Sequence, residues 1–213
     1  MRAVDVSFRL CGTAIPADHG YHLFSAVSRV VPTIHSDDEV GLHPIAGRLS
    51  GARMLALTPR SALTIRLACE RVGEVLPLAG KTLRIGSHVL TVGVPNTRAL
   101  VPKGRLYSRL VIIKGFMEPP EFMDAVCRQV KELSVSGTPS LVPLCHTGNR
   151  GGNAEAPVIR RTIRICGKEI IGFAVMVEGL SAEDSIRLQE KGLGGRRRFG
   201  CGIFVPDRRA ANA

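Results

Sequence analysis

A glycine-rich stretch near the C-terminus, Lys191 to Pro206, constrains the fold of this chain more than any other segment. It contains Gly192, Gly194, Gly195, Gly200 and Gly202, with Arg196, Arg197 and Arg198 between them. Glycines allow successive backbone N–H groups to turn toward one anion, and arginine binds phosphate through a planar fork of N–H donors. The stretch therefore predicts a loop that binds a phosphate backbone.

The elements around this loop disfavour the common nucleotide-binding loops. Ser181 and Asp184 form a capping-box pattern that predicts a helix ending near Lys191, and an apolar segment predicts a strand from Phe199 to Val205. P-loops and dinucleotide-binding loops have the opposite order, with the strand before the loop and the helix after it. No Lys-Ser or Lys-Thr pair ends the glycine run, so binding of nucleoside triphosphates is not expected.

The chain repeats one order of elements twice. Apolar alternation and short apolar runs predict strands at 4–10, 40–45, 54–57, 63–67 and 88–92, with helices after an N-cap at Asp18 and at 69–76. In the second half the sequence predicts a strand at 106–114, a helix from 119 or 120 to 133 and a strand near 141. A hairpin from 158 to 177, turning at Gly167-Lys168, follows. The capped helix that ends near Lys191 and the strand from Phe199 to Val205 complete this half. Each half has the ferredoxin-like order of strands and helices. We expect an α+β fold of two tandem ferredoxin-like (RRM-type) domains, 1–95 and 106–213, joined by a linker from Pro95 to Arg105.

The charge of the chain points to a polyanionic partner. Lys and Arg number 29 against 18 Asp and Glu, which gives a net charge of +11. Basic residues are concentrated at Arg187, Lys191, Arg196, Arg197, Arg198, Arg208 and Arg209. Trp is absent and aromatic residues make up 4% of the chain, so recognition through shape and phosphates is more consistent with the sequence than base stacking.

The sequence predicts neither a metal site nor a membrane segment. The six cysteines are scattered without a Cys-x-x-Cys pair, so they predict neither zinc ligands nor a disulfide framework, and no cofactor is expected. The N-terminus lacks the apolar core of a signal peptide, and no apolar run approaches the length of a membrane span. These features predict a cytoplasmic protein.

The spacing of four glycines resembles a known signature. Gly192-Leu-Gly194, five residues and Gly200-Cys-Gly202 resemble the C-terminal motif of the RAMP superfamily, in particular the CRISPR-associated endoribonucleases that cut repeat transcripts into guide RNAs. This resemblance implies the same tandem ferredoxin-like fold, with the loop near the end of the second domain. It also implies metal-independent cleavage that leaves a 2′,3′-cyclic phosphate and a 5′-hydroxyl. The implied partners are CRISPR repeat RNA, guide RNA and other subunits of an effector complex.

The candidate catalytic residues lie in the first half of the chain. Metal-free RNA cleavage needs a base for the 2′-hydroxyl proton, an acid for the 5′-oxygen and a positive charge, and histidine suits either proton role. The histidines of this region are His19, His22, His35 and His43. Members of the family often use a histidine at or after the end of the first helix, which favours His35, with His43 second.

The chain departs from the best-known family triad of Tyr, His and Lys. Tyr21 comes early in the predicted helix, and no lysine precedes Lys81. A charge stabiliser in this half must therefore be an arginine, for which Arg29 and Arg48 are the candidates.

Further basic residues could follow an RNA backbone. Arg160 and Arg161 open the predicted hairpin, and Lys114 ends a predicted strand. Two other functions fit the same features: a RAMP subunit that holds guide RNA without cutting it, and a general RNA-binding ferredoxin-like protein.

Overall fold

The computed structural model describes residues 2–144 and 157–207, which form two compact units. Of these residues, 2–100, 163–168 and 196–201 belong to the first unit, and 101–144, 157–162, 169–195 and 202–207 belong to the second. Arg208 and Arg209 of the basic C-terminal region lie outside the described residues.

The first unit is built on an antiparallel sheet. Its elements are β1 (Ala3–Cys11), β2 (Ala14–Pro16), α1 (Gly20–Val30), β3 (Gly41–Leu42), β4 (Arg48–Ser50), β5 (Met54–Ala56), β6 (Ala62–Ala68), α2 (Val72–Val75), β7 (Thr82–Ile85) and β8 (His88–Ala99). The five-stranded sheet has the order β3-β6-β1-β8-β7, and β2, β5 and β4 form a small second sheet. Leu23 and Val27 of α1 share an apolar cluster with Val6 and Phe8 of β1, whose alternation buries one face of that strand.

The second unit repeats the order. Its elements are β9 (Arg105–Val111), α3 (Pro119–Glu132), β10 (Thr138–Leu141), β11 (Arg160–Ile165), β12 (Lys168–Glu178), α4 (Ala182–Lys191) and β13 (Val205–Pro206). The sheet order is β10-β12-β9-β13, with β11 paired to β12. In a ferredoxin-like sheet the four core strands lie side by side in the order second, third, first, fourth. The first unit has this arrangement in β3-β6-β1-β8, and the second unit has it in β10-β12-β9-β13. The predicted α+β fold of two ferredoxin-like domains is therefore confirmed.

The division of the chain differs from the predicted domains 1–95 and 106–213. Strand β8 continues to Ala99 because its second half pairs with β1, for example Pro95 with Phe8, so only 100–104 connects β8 to β9. Residues 196–201, expected in the second domain, belong to the first unit. The glycine-rich stretch is therefore divided between the two units.

Three predicted details were wrong. Asp18 does not cap α1, because its Oδ2 accepts a hydrogen bond from the backbone of Arg164 at 2.9 Å, and α1 begins after His19 without a side-chain cap. The last strand does not run from Phe199, because a 3-10 turn covers Arg197–Phe199 and the backbone then has φ of 85° at Gly200 and 66° at Gly202. Only the Ser181 half of the capping box forms, with Ser181 Oγ accepting from the Asp184 amide at 3.1 Å.

No helix among residues 2–144 and 157–207 has both the length and the apolar character needed to cross a membrane.

Candidate nucleic-acid interface

The amides of the signature glycines donate hydrogen bonds within the protein and do not form a cluster of free donors. The amides of Gly192, Gly194, Gly195, Gly200 and Gly202 donate to Leu188 O, Gln129 Oε1, Ile112 O, Arg197 O and Leu110 O, respectively. In this structure these amides are therefore used within the protein, and their role in binding phosphate stays a prediction. The spacing of the glycines has another cause: a Cβ at Gly194 would lie 2.3 Å from Ile112 O, so the chain can approach that closely only without a side chain.

The three loop arginines do not converge on one ligand. Arg196 is exposed and has a left-handed backbone with φ of 67°, whereas Arg197 is buried. The Arg198 guanidinium donates to the His35 carbonyl and, at 2.8 Å, to Asp38 Oδ1. Because the side chains of consecutive residues in a tight turn point in different directions, these three arginines do not form one binding site.

The loop that carries His35 is held from two sides. On one side is the Arg198 contact with the His35 carbonyl. On the other, Thr33 Oγ1 donates to Glu74 Oε2 at 2.8 Å, and Arg71 bridges Glu74 (2.8 Å) and Asp37. Hydrogen bonds from Arg71 and Thr33 lower the pKa of Glu74 to about 2, so these ion pairs persist throughout the neutral range.

The His35 imidazole itself is accessible. The residue is exposed, and its ring lies against Phe24 with 5.5 Å between ring centroids. Phe199 of the glycine-rich stretch packs on the same Phe24 ring at 4.7 Å. A fixed backbone and an open ring are the properties that a general base for a macromolecular substrate requires.

His43 occupies a different environment, a buried charged cluster. Arg66 is 1% exposed and binds Asp5 with two hydrogen bonds of 2.7 and 2.9 Å. His43 Nε2 lies 3.4 Å from Asp5 Oδ1 with poor hydrogen-bond geometry, and its side chain is 14% exposed. Burial alone would raise the pKa of Asp5, but Arg66 and His43 hold that pKa well below its usual range.

The charges around His43 favour its neutral form. Burial lowers the pKa of His43, and the positive charges of Arg66 and Arg197 lower it further, whereas Asp5 opposes the change. Burial and the nearby Arg66 also lower the pKa of Arg197, to about 10, which leaves Arg197 charged at neutral pH.

This environment makes the stability of the protein depend on pH. Because the folded-state pKa of His43 is lower than that of an exposed histidine, about 6.5, the unfolded chain binds more protons below that value and stability falls as the pH is lowered. We expect the melting temperature to decrease between about pH 7.5 and pH 5.5, and to decrease less in His43→Gln. Equal pH dependence of the two proteins in thermal melts would contradict this expectation.

The other predicted site residues are mostly exposed. Arg29 is exposed on α1 and Arg48 is exposed on β4, and no hydrogen bond or ion pair among the described residues connects either with His35 or His43. In the second unit, Arg160 and Lys114 are exposed and Arg161 is partly buried.

The ion pair between Asp5 and the buried Arg66 was not predicted from the sequence. The role of Arg71 and Glu74 in holding the loop that carries His35 was not predicted either. One signal for the first pair was available: Arg66 interrupts the apolar run from Leu63 to Leu67, and a charge in a central strand requires a partner. The partner follows from the register, because Asp5 of β1 lies directly opposite Arg66 of β6. Within the described residues, no three His, Cys, Asp or Glu side chains are grouped as metal ligands would be.

Comparisons with known proteins converge on one family. A family model described as "Cas6 Crispr" matches residues 4–209. Over 208 residues the chain is 38% identical to a protein of Myxococcus xanthus (strain DK1622) named CRISPR-associated endonuclease Cas6, covering 98% of this chain and 83% of that protein.

Solved structures show the same fold. The product of a Cas6-related gene from Pyrococcus furiosus superposes with a TM-score of 0.67 at 12% identity, covering 97% of this chain and 99% of that one. A structure described as a RAMP protein binding different RNA substrates has a TM-score of 0.64 at 14% identity, covering 96% of this chain and 99% of that one.

Proposed function

Because the chain belongs to the Cas6 family of CRISPR-associated proteins, we propose that it is an endoribonuclease that binds the stem-loop of CRISPR repeat RNA and cuts it to guide RNA. The observation that carries this proposal is the 38% identity, across 98% of this chain, to a protein named as a CRISPR-associated endonuclease. The net charge of +11 supports a nucleic-acid substrate.

The proposed reaction is metal-independent transesterification. His35 takes the proton of a ribose 2′-hydroxyl, the 2′-oxygen attacks the adjacent phosphorus, and the bond from phosphorus to the 5′-oxygen breaks. The leaving 5′-oxygen takes a proton from water and His35 returns its proton to the solvent, so the products are a 2′,3′-cyclic phosphate and a 5′-hydroxyl. Support for His35 comes from its exposed ring and from the contacts that hold its loop.

Arg198 has a positioning role in this proposal. Its guanidinium is already bonded to the His35 carbonyl and to Asp38, so it fixes the loop rather than binding substrate. The exposed Arg196 is instead available to an RNA backbone. In the second unit, Arg160, Arg161 and Lys114 are the proposed contacts to RNA. Other subunits of an effector complex remain predicted partners.

The chemistry is tested with labelled repeat RNA in EDTA. We expect one cut, and we expect a 2′-deoxy group at the scissile nucleotide to abolish it, because the nucleophile is then absent. A matched RNA with the 2′-deoxy group one nucleotide away should be cut normally. Cleavage that requires magnesium, or that survives the deoxy substitution at the scissile position, would refute this mechanism.

The same assay separates the other two functions. A subunit that only holds guide RNA would bind the repeat without cutting it. A general RNA-binding protein would bind unrelated hairpins as tightly as the repeat at elevated salt, where nonspecific phosphate contacts weaken.

A further inference from the structure

The buried guanidinium of Arg197 lacks hydrogen-bond acceptors. Arg197 is 7% exposed, and in the part of the chain that the structure describes none of its three side-chain nitrogens has a hydrogen-bond partner. Buried arginines are normally paired, because removing a charge from water without compensation is unfavourable. A group of this kind in a native protein requires an explanation.

The nearest acidic groups do not neutralise Arg197. Both carboxylate oxygens of Asp5 accept hydrogen bonds from Arg66. Asp5 and Glu39 favour the charged form of Arg197 only through longer-range attraction, while burial and the positive charge of Arg66 act against it. Arg197 keeps its charge at neutral pH because its pKa, lowered to about 10, still lies well above 7.

The backbone of the turn directs this side chain inward. Arg196 and Gly200 both have left-handed backbones, with φ of 67° and 85°, and between them lies the single 3-10 turn Arg197–Phe199. The turn lies against the segment that carries His43, because a Cβ at Gly200 would be 3.4 Å from Leu42 O and 3.2 Å from Pro44. Arg197 and Arg66 are both close enough to His43 for their charges to lower its pKa. Arg196, in contrast, is exposed, and Arg198 contacts Asp38. Three positively charged or protonatable groups therefore share one buried place within the first unit.

We propose that Arg197, together with His43, forms a buried receptor for a single oxyanion, and that in the RNA-bound protein this oxyanion is one phosphate group. A guanidinium whose nitrogens are all unused matches the paired oxygens of a phosphate. A phosphate bound there would also offset the positive charges that keep His43 neutral and would favour the imidazolium, which can donate a hydrogen bond to the anion. The oxyanion site is inferred from the buried guanidinium of Arg197, which is unpaired among the described residues. The assignment of the oxyanion to RNA rests on the proposed function.

The site is tested first without RNA, through the thermal stability of three proteins. These are the wild type, Arg197→Met, and the control Arg84→Met, which removes an exposed charge from β7 of the same unit. Melting temperatures are compared in sodium chloride and in sodium sulfate at equal ionic strength. Sulfate stabilises most proteins because it is excluded from their surface. The informative quantity is therefore the difference between the variants in how much sulfate raises the melting temperature.

Arg197→Met should melt several degrees higher than the wild type in chloride, because an apolar side chain replaces an unpaired buried charge. It should also gain clearly less from sulfate than the wild type and the control do. Arg197→Gln, which is neutral but polar, should likewise show the smaller response to sulfate. If Arg197→Met melts lower than the wild type, or if all of the proteins respond equally to sulfate, the oxyanion site is refuted.

A second arm identifies the source of the oxyanion. Binding of repeat RNA with a 2′-deoxy group at the scissile nucleotide is measured for the same proteins at fixed salt. We expect Arg197→Met to bind roughly tenfold or more weakly and Arg84→Met to bind like the wild type. A lost sulfate response with unchanged RNA affinity would support a site for free phosphate and overturn its assignment to RNA. The sulfate arm needs neither RNA nor cleavage, so its result stands even if the proposed nuclease function fails.

Discussion

Replacing His35 with alanine is expected to lower the rate of repeat-RNA cleavage by about 10²- to 10⁴-fold, the range typical of a lost general base. The affinity for uncut RNA should change little, because the loop is held by the His35 carbonyl and by Thr33 and Asp37, none of which the substitution removes. Single-turnover cleavage at saturating protein separates the rate of chemistry from binding.

The control is His22→Ala, which removes another exposed histidine of the same unit, on α1, and should leave the rate unchanged. His43→Gln provides the contrast, because His43 was the second candidate from the sequence. If His35→Ala cuts normally while His43→Gln does not, His35 is not the base and the proton is taken in the buried cluster of Asp5 and Arg66 instead.

Replacing Gly202 with alanine should cause the largest loss of stability in the glycine-rich stretch. The new Cβ would lie 2.1 Å from the carbonyl oxygen of Leu193, and the backbone has φ of 66°, which side chains rarely adopt. Left-handed strain of about 1–2 kcal/mol and crowding of about 1–3 kcal/mol together predict that the free energy of unfolding falls by roughly 2–5 kcal/mol.

Gly195→Ala is the matched control from the same loop. No atom lies within 4 Å of a Cβ at Gly195, and φ there is not in the left-handed range, so we expect a change within about 0.5 kcal/mol. Denaturant unfolding of both variants measures the difference. Similar losses for the two substitutions would contradict the view that close backbone approach, rather than glycine content, determines the spacing of the motif.

The fold was largely readable from the sequence because its signals are local. Alternation in β1, the apolar face of α1 and the Ser181 cap each depend on residues close together in the chain. The repeated order of these elements then predicted two ferredoxin-like domains. The errors at Asp18 and Phe199 arose where a distant contact or a positive φ replaced the local preference.

The candidate site could be predicted only in part, because the direction and burial of side chains depend on the tertiary structure. The sequence by itself determined the charge of the chain, the family signature and the set of histidines and arginines available for chemistry. Only the tertiary structure separated the three consecutive arginines into one exposed, one buried and one bound to Asp38.

The tertiary structure also distinguished the two leading histidines, leaving His35 accessible and placing His43 among buried charges. The physical reason is that the environment of a side chain depends on strand register and turn geometry. The register that sets Asp5 opposite Arg66 joins residues 61 positions apart in the chain.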